Sequence, residues 1–185
     1  MPLRRFTLAA MSILYALQRL DVRLFLALFH GGERRLIRPL ARALSRSADG
    51  YLYFFLPLLL WATGADHVPE LIILLCCSLL LERGTYWLLK NSLKRRRPQE
   101  AMPDFRSIIV AADRFSFPSG HTSAAFLLAT SLTLVYQEPA MAMYAWATAI
   151  AFSRVILGVH YPGDTLAGAI MGSTIAIFIA GGPGL

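Results

Sequence analysis

Residues 68–89 read VPELIILLCCSLLLERGTYWLL. Glu70, Glu82 and Arg83 are the only charges in this run. A helix rises about 1.5 Å per residue, so a stretch of this length covers the ~30 Å hydrocarbon core of a bilayer. The stretch therefore reads as a membrane-spanning helix, and the rest of the chain follows the same pattern. Tyr51–Ala65 precedes it, slightly short but extendable at its ends, and Ser119–Tyr136, Ala140–Gly158 and Asp164–Ala180 follow. Composition agrees: 56% of residues are hydrophobic and 16% charged, against about 45–50% and 25% in soluble domains.

The first fifty residues differ. Phe6–Leu17 and Leu24–Phe29 are each too short to cross, and Gln18, Arg19, Asp21 and Arg23 separate them. Arg34, Arg35, Arg38, Arg42 and Arg46 alternate with Leu36, Ile37, Leu40 and Leu44. This predicts amphipathic helices in the interface, with arginines toward headgroups. A continuous span from Leu8 to Phe29 is the competing reading, with its charges sheltered in a bundle. No small-residue cleavage site follows Phe6–Leu17, so no cleavable leader is expected. The expected fold is all-α, a polytopic membrane helix bundle of five to six spanning helices. Residues 1–49 form its amphipathic N-terminal region and residues 50–185 its membrane-embedded core.

Charge threads the bundle. With five spans, the N-terminal region, the polar connection 91–118 and the turn at 159–163 share one face. Every Lys and Arg except Arg83 falls on or next to that face. The positive-inside rule makes it cytoplasmic, as expected for an integral protein of a bacterial inner membrane. The net charge of +7 does not point to nucleic acid, because no nucleic-acid module is visible. It points to phosphates, either on membrane lipids or on a substrate. Cys76 and Cys77 are adjacent on a helix, which suits a disulfide poorly.

Three groups of residues carry chemistry. In the first, Lys90 and Arg97 are seven positions apart. They share a face with Lys94 if the helix persists that far. Fixed cations there suit phosphate oxygens, or simply anchor a helix to headgroups. The second is Pro118-Ser119-Gly120-His121, where serine suits an N-cap. Glycine allows close approach, and a helix N-terminus favours anions. Its ordinary reading is a capped helix with an interfacial histidine. The third is Ser153-Arg154, then His160, then Asp164. Pro162-Gly163 signals a turn, from which Asp164 starts the last span and reaches back to His160. A carboxylate on one ring nitrogen leaves the other free to attack. The alternative is a helix cap beside an unrelated histidine. Elsewhere, Asp113 and Arg114 read as loop charges that either line an entrance or pair with each other. Glu82 and Arg83 read as a structural pair.

Together these groups resemble the tripartite signature of the type 2 phosphatidic acid phosphatase superfamily. That superfamily includes lipid phosphate phosphatases, glucose-6-phosphatase and vanadium haloperoxidases. The signature here is Lys90-x6-Arg97-Pro98, Pro118-Ser119-Gly120-His121 and Ser153-Arg154-x5-His160-x3-Asp164. The resemblance implies a lipid phosphate phosphatase working through a phosphohistidine. His160 would be the nucleophile, Asp164 its orienting partner, and His121 the acid and then the base. Lys90, Arg97, Ser119, Gly120 and Arg154 would hold the phosphate. It implies no cofactor and no metal, and no Asp/Glu cluster stands beside the histidines in the sequence. The expected substrate is a lipid monophosphate or diphosphate, such as phosphatidic acid, phosphatidylglycerophosphate or a polyprenyl phosphate. A lipid phosphotransferase and a non-catalytic phosphate-binding scaffold are the alternatives. The spans argue against a haloperoxidase.

Overall fold

The computed structural model describes residues 2–182, with side chains at Ser12 and from Leu14 onward. Among these residues there are α-helices and one 3₁₀ turn, and no strand. The helices are α1 (Pro2–Gly31), α2 (Ile37–Ser47), α3 (Tyr51–Ala62), α4 (Val68–Leu93), α5 (Pro98–Ala101), α6 (Gly120–Tyr136), α7 (Ala142–Ile156) and α8 (Pro162–Ala180). The 3₁₀ turn Glu138–Met141 joins α6 to α7.

Helix α6 is the axis of the bundle, packed against α8, α7 and α4. Its Leu127, Leu128 and Leu132 meet Leu71 and Leu75 of α4 and Ile175 and Ala176 of α8 in one core cluster. Its Ala125 and Ala129 meet Ala147 and Ile150 of α7 in another. Contact between α6 and α8 is close because glycine stands at two successive turns of the facing stripe, Gly168 and Gly172. A Cβ at Gly172 would lie 2.0 Å from the Ser123 carbonyl oxygen, and one at Gly168 2.6 Å from that of Ser119. Small residues of this kind let two backbones touch, a packing mode common between helices in membranes.

The outer faces are apolar. Phe54, Phe55, Leu58, Trp61, Leu80, Trp87, Leu166, Ile170 and Phe178 are all exposed. An apolar surface this wide needs a covering. The run beginning at Val68 and helix α8 are long and apolar enough to cross a membrane. Helix α3 is apolar but shorter. Helices α6 and α7, expected as spans, have 17 and 15 residues.

The N-terminal region departs from expectation. Instead of two short helices divided at Gln18–Arg23, α1 runs unbroken from Pro2 to Gly31. The dividing charges are compatible with helix, and one of them is neutralised inside the molecule. Asp21 pairs with Arg95 at 2.6 Å and accepts a hydrogen bond from the Gly163 amide at 2.7 Å. Phe25 and Phe29 then bury against Val155 and Tyr161. The expected amphipathic helix is α2, which buries Ala41 and Ser45 and exposes Arg42 and Arg46. Glu82 and Arg83 do pair, at 2.7 Å between Arg83 Nη2 and Glu82 Oε1, with Glu82 buried and Arg83 half exposed.

Candidate active site

All three residue groups lie at one end of the bundle, where α4 and α7 end and α6 and α8 begin. The expected helical face joining Lys90, Lys94 and Arg97 does not form. Helix α4 stops at Leu93, and Lys94 turns left-handed with φ 49°. Arg97 is extended, one residue before the proline that opens α5. Lys90 and Arg97 nevertheless converge, because both bind the carboxylate of Asp113. Lys90 Nζ is 2.7 Å from its Oδ1, Arg97 Nη2 contacts the same oxygen, and the Tyr86 hydroxyl donates to Oδ2. The loop charge Asp113 is thus ion-paired, with Lys90 and Arg97. These cations and burial act in opposite directions on its carboxyl. The cations prevail and hold it down at about 2, so it stays ionised throughout the neutral range.

Ser119 takes the N-cap position of α6, but its hydroxyl does not cap the backbone. Its Oγ lies 3.0 Å from Thr122 Oγ1, and its amide donates to the Asp164 carbonyl at 3.0 Å. That bond ties the start of α6 to the start of α8. The following amides, beginning with Gly120, have no acceptor within the helix and remain for an anion. Gly120 lies on the Tyr86 ring, where a Cβ would come within 2.9 Å. His121 Nε2 is 2.9 Å from Asp49 Oδ1, in the turn between α2 and α3.

His160 is buried at 2% exposure. Its Nδ1 is 2.7 Å from the Ser116 carbonyl oxygen. A carbonyl only accepts, so Nδ1 carries the proton and Nε2 keeps its lone pair. Nε2 faces Arg97 Nη1 at 3.5 Å. Asp164 lies farther off, at 3.7 Å from Nδ1, which is ion-pair range rather than a hydrogen bond. The orienting contact expected of Asp164 is therefore made by a main-chain carbonyl. Pro162 and Gly163 are not a separate turn; they form the first turn of α8, with proline at a position that suits it. Asp164 accepts from the Tyr161 amide at 2.8 Å and pairs with Arg95 at 2.7 Å. Burial, with Arg154 and Arg97 beside it, pushes the His160 imidazole down to about 4 against the pull of Asp164. The ring is neutral at neutral pH.

Arg154 is 5% exposed. Its Nη1 donates to Ser45 Oγ at 2.5 Å, while its buried Nε has no partner among the described residues. No carboxylate pairs with it there, unlike Lys90, Arg95 and Arg97. A buried cation with an idle donor is costly unless an anion completes it. Arg154, His121 and Asp49, with Arg42 and Arg46 of α2, line an open cavity of about 410 Å³.

Several participants had no clear sequence signal. Ser116 acts through its carbonyl, which any residue offers. Arg95 was one of a run of basic residues. Asp21, Ser45 and Asp49 come from the region expected to lie outside the core, and only tertiary contact reveals them.

Residues 71–182 match the PAP2 superfamily. The bacitracin transport permease protein BcrC of Bacillus licheniformis is 26% identical over 152 residues, which are 80% of this chain and 73% of that protein. The decaprenylphosphoryl-5-phosphoribose phosphatase of Mycobacterium tuberculosis is 37% identical over 102 residues, half of each chain. Among solved structures, that of Aquifex aeolicus LpxE superposes with a TM-score of 0.76 at 26% identity. The match covers 87% of this chain and 94% of that one.

Proposed function

The chain belongs to the PAP2 superfamily, and from that premise we propose that it is an integral membrane lipid phosphatase working through a phosphohistidine at His160. The observation that carries this reading is the His160 ring. It is buried and neutral, donates its Nδ1 proton to the Ser116 carbonyl, and turns its Nε2 lone pair toward Arg97 Nη1 at 3.5 Å.

The reaction has two halves. His160 Nε2 attacks phosphorus, and the bond from phosphorus to the lipid oxygen breaks. His121 hands its proton to that oxygen, and Asp49 steadies the ring. Charge gathering on the phosphoryl oxygens meets Lys90, Arg97, the idle Nε of Arg154 and the Gly120 amide. Preorganised donors of this kind stabilise a transition state without reorganising at the moment of reaction. Asp164, close but not hydrogen-bonded, offsets the positive charge on the phosphorylated ring. In the second half, His121 takes a proton from water, whose oxygen attacks phosphorus. The P–N bond breaks and orthophosphate leaves. Splitting the displacement in two is nucleophilic catalysis.

Helices α3, α4, α6, α7 and α8 cross the bilayer in this reading, with the site at the arginine-rich cytoplasmic face. The lipid tail lies along the apolar outer surface. The cavity beyond His121 presents Arg42, Arg46 and Arg154 against the single carboxylate Asp49. It suits a headgroup that carries negative charge beyond the scissile phosphate, as in a diphosphate or phosphatidylglycerophosphate.

The test is phosphate release by purified full chain in detergent. Phosphatidic acid, phosphatidylglycerophosphate and a polyprenyl diphosphate are offered with and without a chelator. Release from one of them is expected to survive chelation and to vanish in His160→Ala, which should elute and unfold like the parent. Undiminished turnover in that variant overturns the mechanism.

A further inference from the structure

Lys90 and Arg97 are assigned above to the substrate's phosphoryl group, yet their donors are already engaged. The Asp113 carboxylate takes the Lys90 ammonium, the Arg97 guanidinium and the Tyr86 hydroxyl together. The Lys90 and Arg97 side chains are almost fully buried, while Asp113 is 38% exposed. The anion therefore enters from the open side, as a substrate would. Two buried cations need a counter-charge, and the Asp113 carboxylate supplies it from within the chain.

The side chain can leave without unfastening the loop. Arg97 Nε donates to the Asp113 main-chain carbonyl at 3.0 Å. The Ser116 amide donates to the Arg95 carbonyl at 2.8 Å, and Ser116 Oγ to the Arg96 carbonyl at 3.2 Å. Rotation of one exposed carboxylate is enough to open the subsite while Ser116 keeps its hold on His160.

Whatever displaces Asp113 must outbid a singly charged group that is tethered in place. Tethering gives it a high effective concentration. A phosphodiester carries one negative charge and two free oxygens, no better than the carboxylate. A phosphomonoester, or the terminal phosphate of a diphosphate, carries up to two charges and three oxygens. The distinction matters at a membrane surface, where phosphodiester headgroups vastly outnumber any substrate.

We propose that Asp113 is a specificity-determining residue: its carboxylate occupies the Lys90–Arg97 phosphate subsite, yields to a terminal phosphoryl group, and keeps out the phosphodiesters of bulk membrane lipid. The proposal rests on the function given above. Because the carboxyl is held near 2, the block persists at every working pH.

The experiment compares the parent, Asp113→Asn and Asp113→Glu as full chains in mixed micelles. Phosphate release from a monoester lipid is followed as phosphatidylglycerol, a phosphodiester, is raised. The parent and the Glu variant should be inhibited only at high phosphatidylglycerol. The Asn variant should be inhibited at about tenfold lower phosphatidylglycerol, the scale of one charged hydrogen bond. Equal sensitivity of parent and Asn variant overturns the proposal. A second reading needs no turnover: orthophosphate should raise the unfolding midpoint of the Asn variant more than that of the parent. Equal shifts overturn the proposal, even if the Asn variant starts less stable. A parent that releases no phosphate from any lipid would sink the proposed function, while the orthophosphate comparison would still judge Asp113.

Discussion

Gly172→Ala adds one methyl group, far from any reacting atom, and is expected to cripple the enzyme. The new Cβ would lie 2.0 Å from the Ser123 carbonyl oxygen and 3.0 Å from the Leu127 amide nitrogen. Ordinary contact begins near 3.4 Å, so α6 and α8 must part locally by about 1.4 Å (3.4 − 2.0). The obstacle is main chain inside a helix and cannot rotate away. Overpacking of this kind costs about 1–3 kcal/mol. Its catalytic effect is larger, because Ser119 and Asp164 join the N-termini of these same two helices by one hydrogen bond at 3.0 Å. Misplacing catalytic groups by about 1 Å can cost about 100-fold in rate. The assay is kcat for phosphate release beside the unfolding midpoint in detergent. The control is Gly84→Ala on α4, whose added Cβ meets nothing within 4 Å and should be neutral or stabilising by up to about 1 kcal/mol. If Gly172→Ala keeps the parental kcat and midpoint, the α6–α8 contact is not what aligns the site.

Asp49→Asn should lower kcat about 10- to 100-fold on lipid substrates. The loss should shrink on an aryl phosphate, whose leaving group needs no proton; an equal loss on both would refute the role of Asp49 behind His121. The His160 ring is pushed down to about 4 from an ordinary 6.5, so it should be neutral and competent above that value. The acid limb of kcat/KM should therefore fall near pH 4, about tenfold per pH unit below it. The same shift sets a stability trend. The unfolded chain takes up this proton near 6.5 and the native one near 4, so this group's contribution to the unfolding midpoint should decline as pH drops across that window. Val110 is 92% exposed on the loop beside the cavity. Val110→Cys, in a chain with Cys76 and Cys77 replaced by alanine, should label in inverted vesicles and not in intact cells; the reverse result places the site on the other face.

Much of the candidate site was legible along the chain because its residues are neighbours in sequence. Ser119, Gly120 and His121 adjoin, and the helix N-terminus gathers the Gly120 and His121 amides, while the Ser119 amide goes to the Asp164 carbonyl. Other parts were legible in identity but not in geometry. Lys90 and Arg97 were expected to meet along one helical face; they meet on Asp113 after the helix has ended at Leu93. Asp164 was expected to hold the His160 ring, but Arg95 and the Tyr161 amide claim its carboxylate. The Ser116 carbonyl takes its place. Residue type cannot announce a main-chain acceptor, since every residue has one.

The sequence by itself determined the helical, membrane-type character of the chain and the family to which it belongs. Both are written in features that survive linear reading: the length of apolar runs, and the spacing of histidines and cations. Only the tertiary structure decided how the site is neutralised and held. Asp21 on α1 reaches Arg95, Asp49 in the α2–α3 turn reaches His121, and Asp113 fills the cradle of Lys90 and Arg97. Buried charge must find a partner wherever the fold brings one. Those partners lie up to 74 residues apart in the chain, a distance across which residue spacing carries no signal.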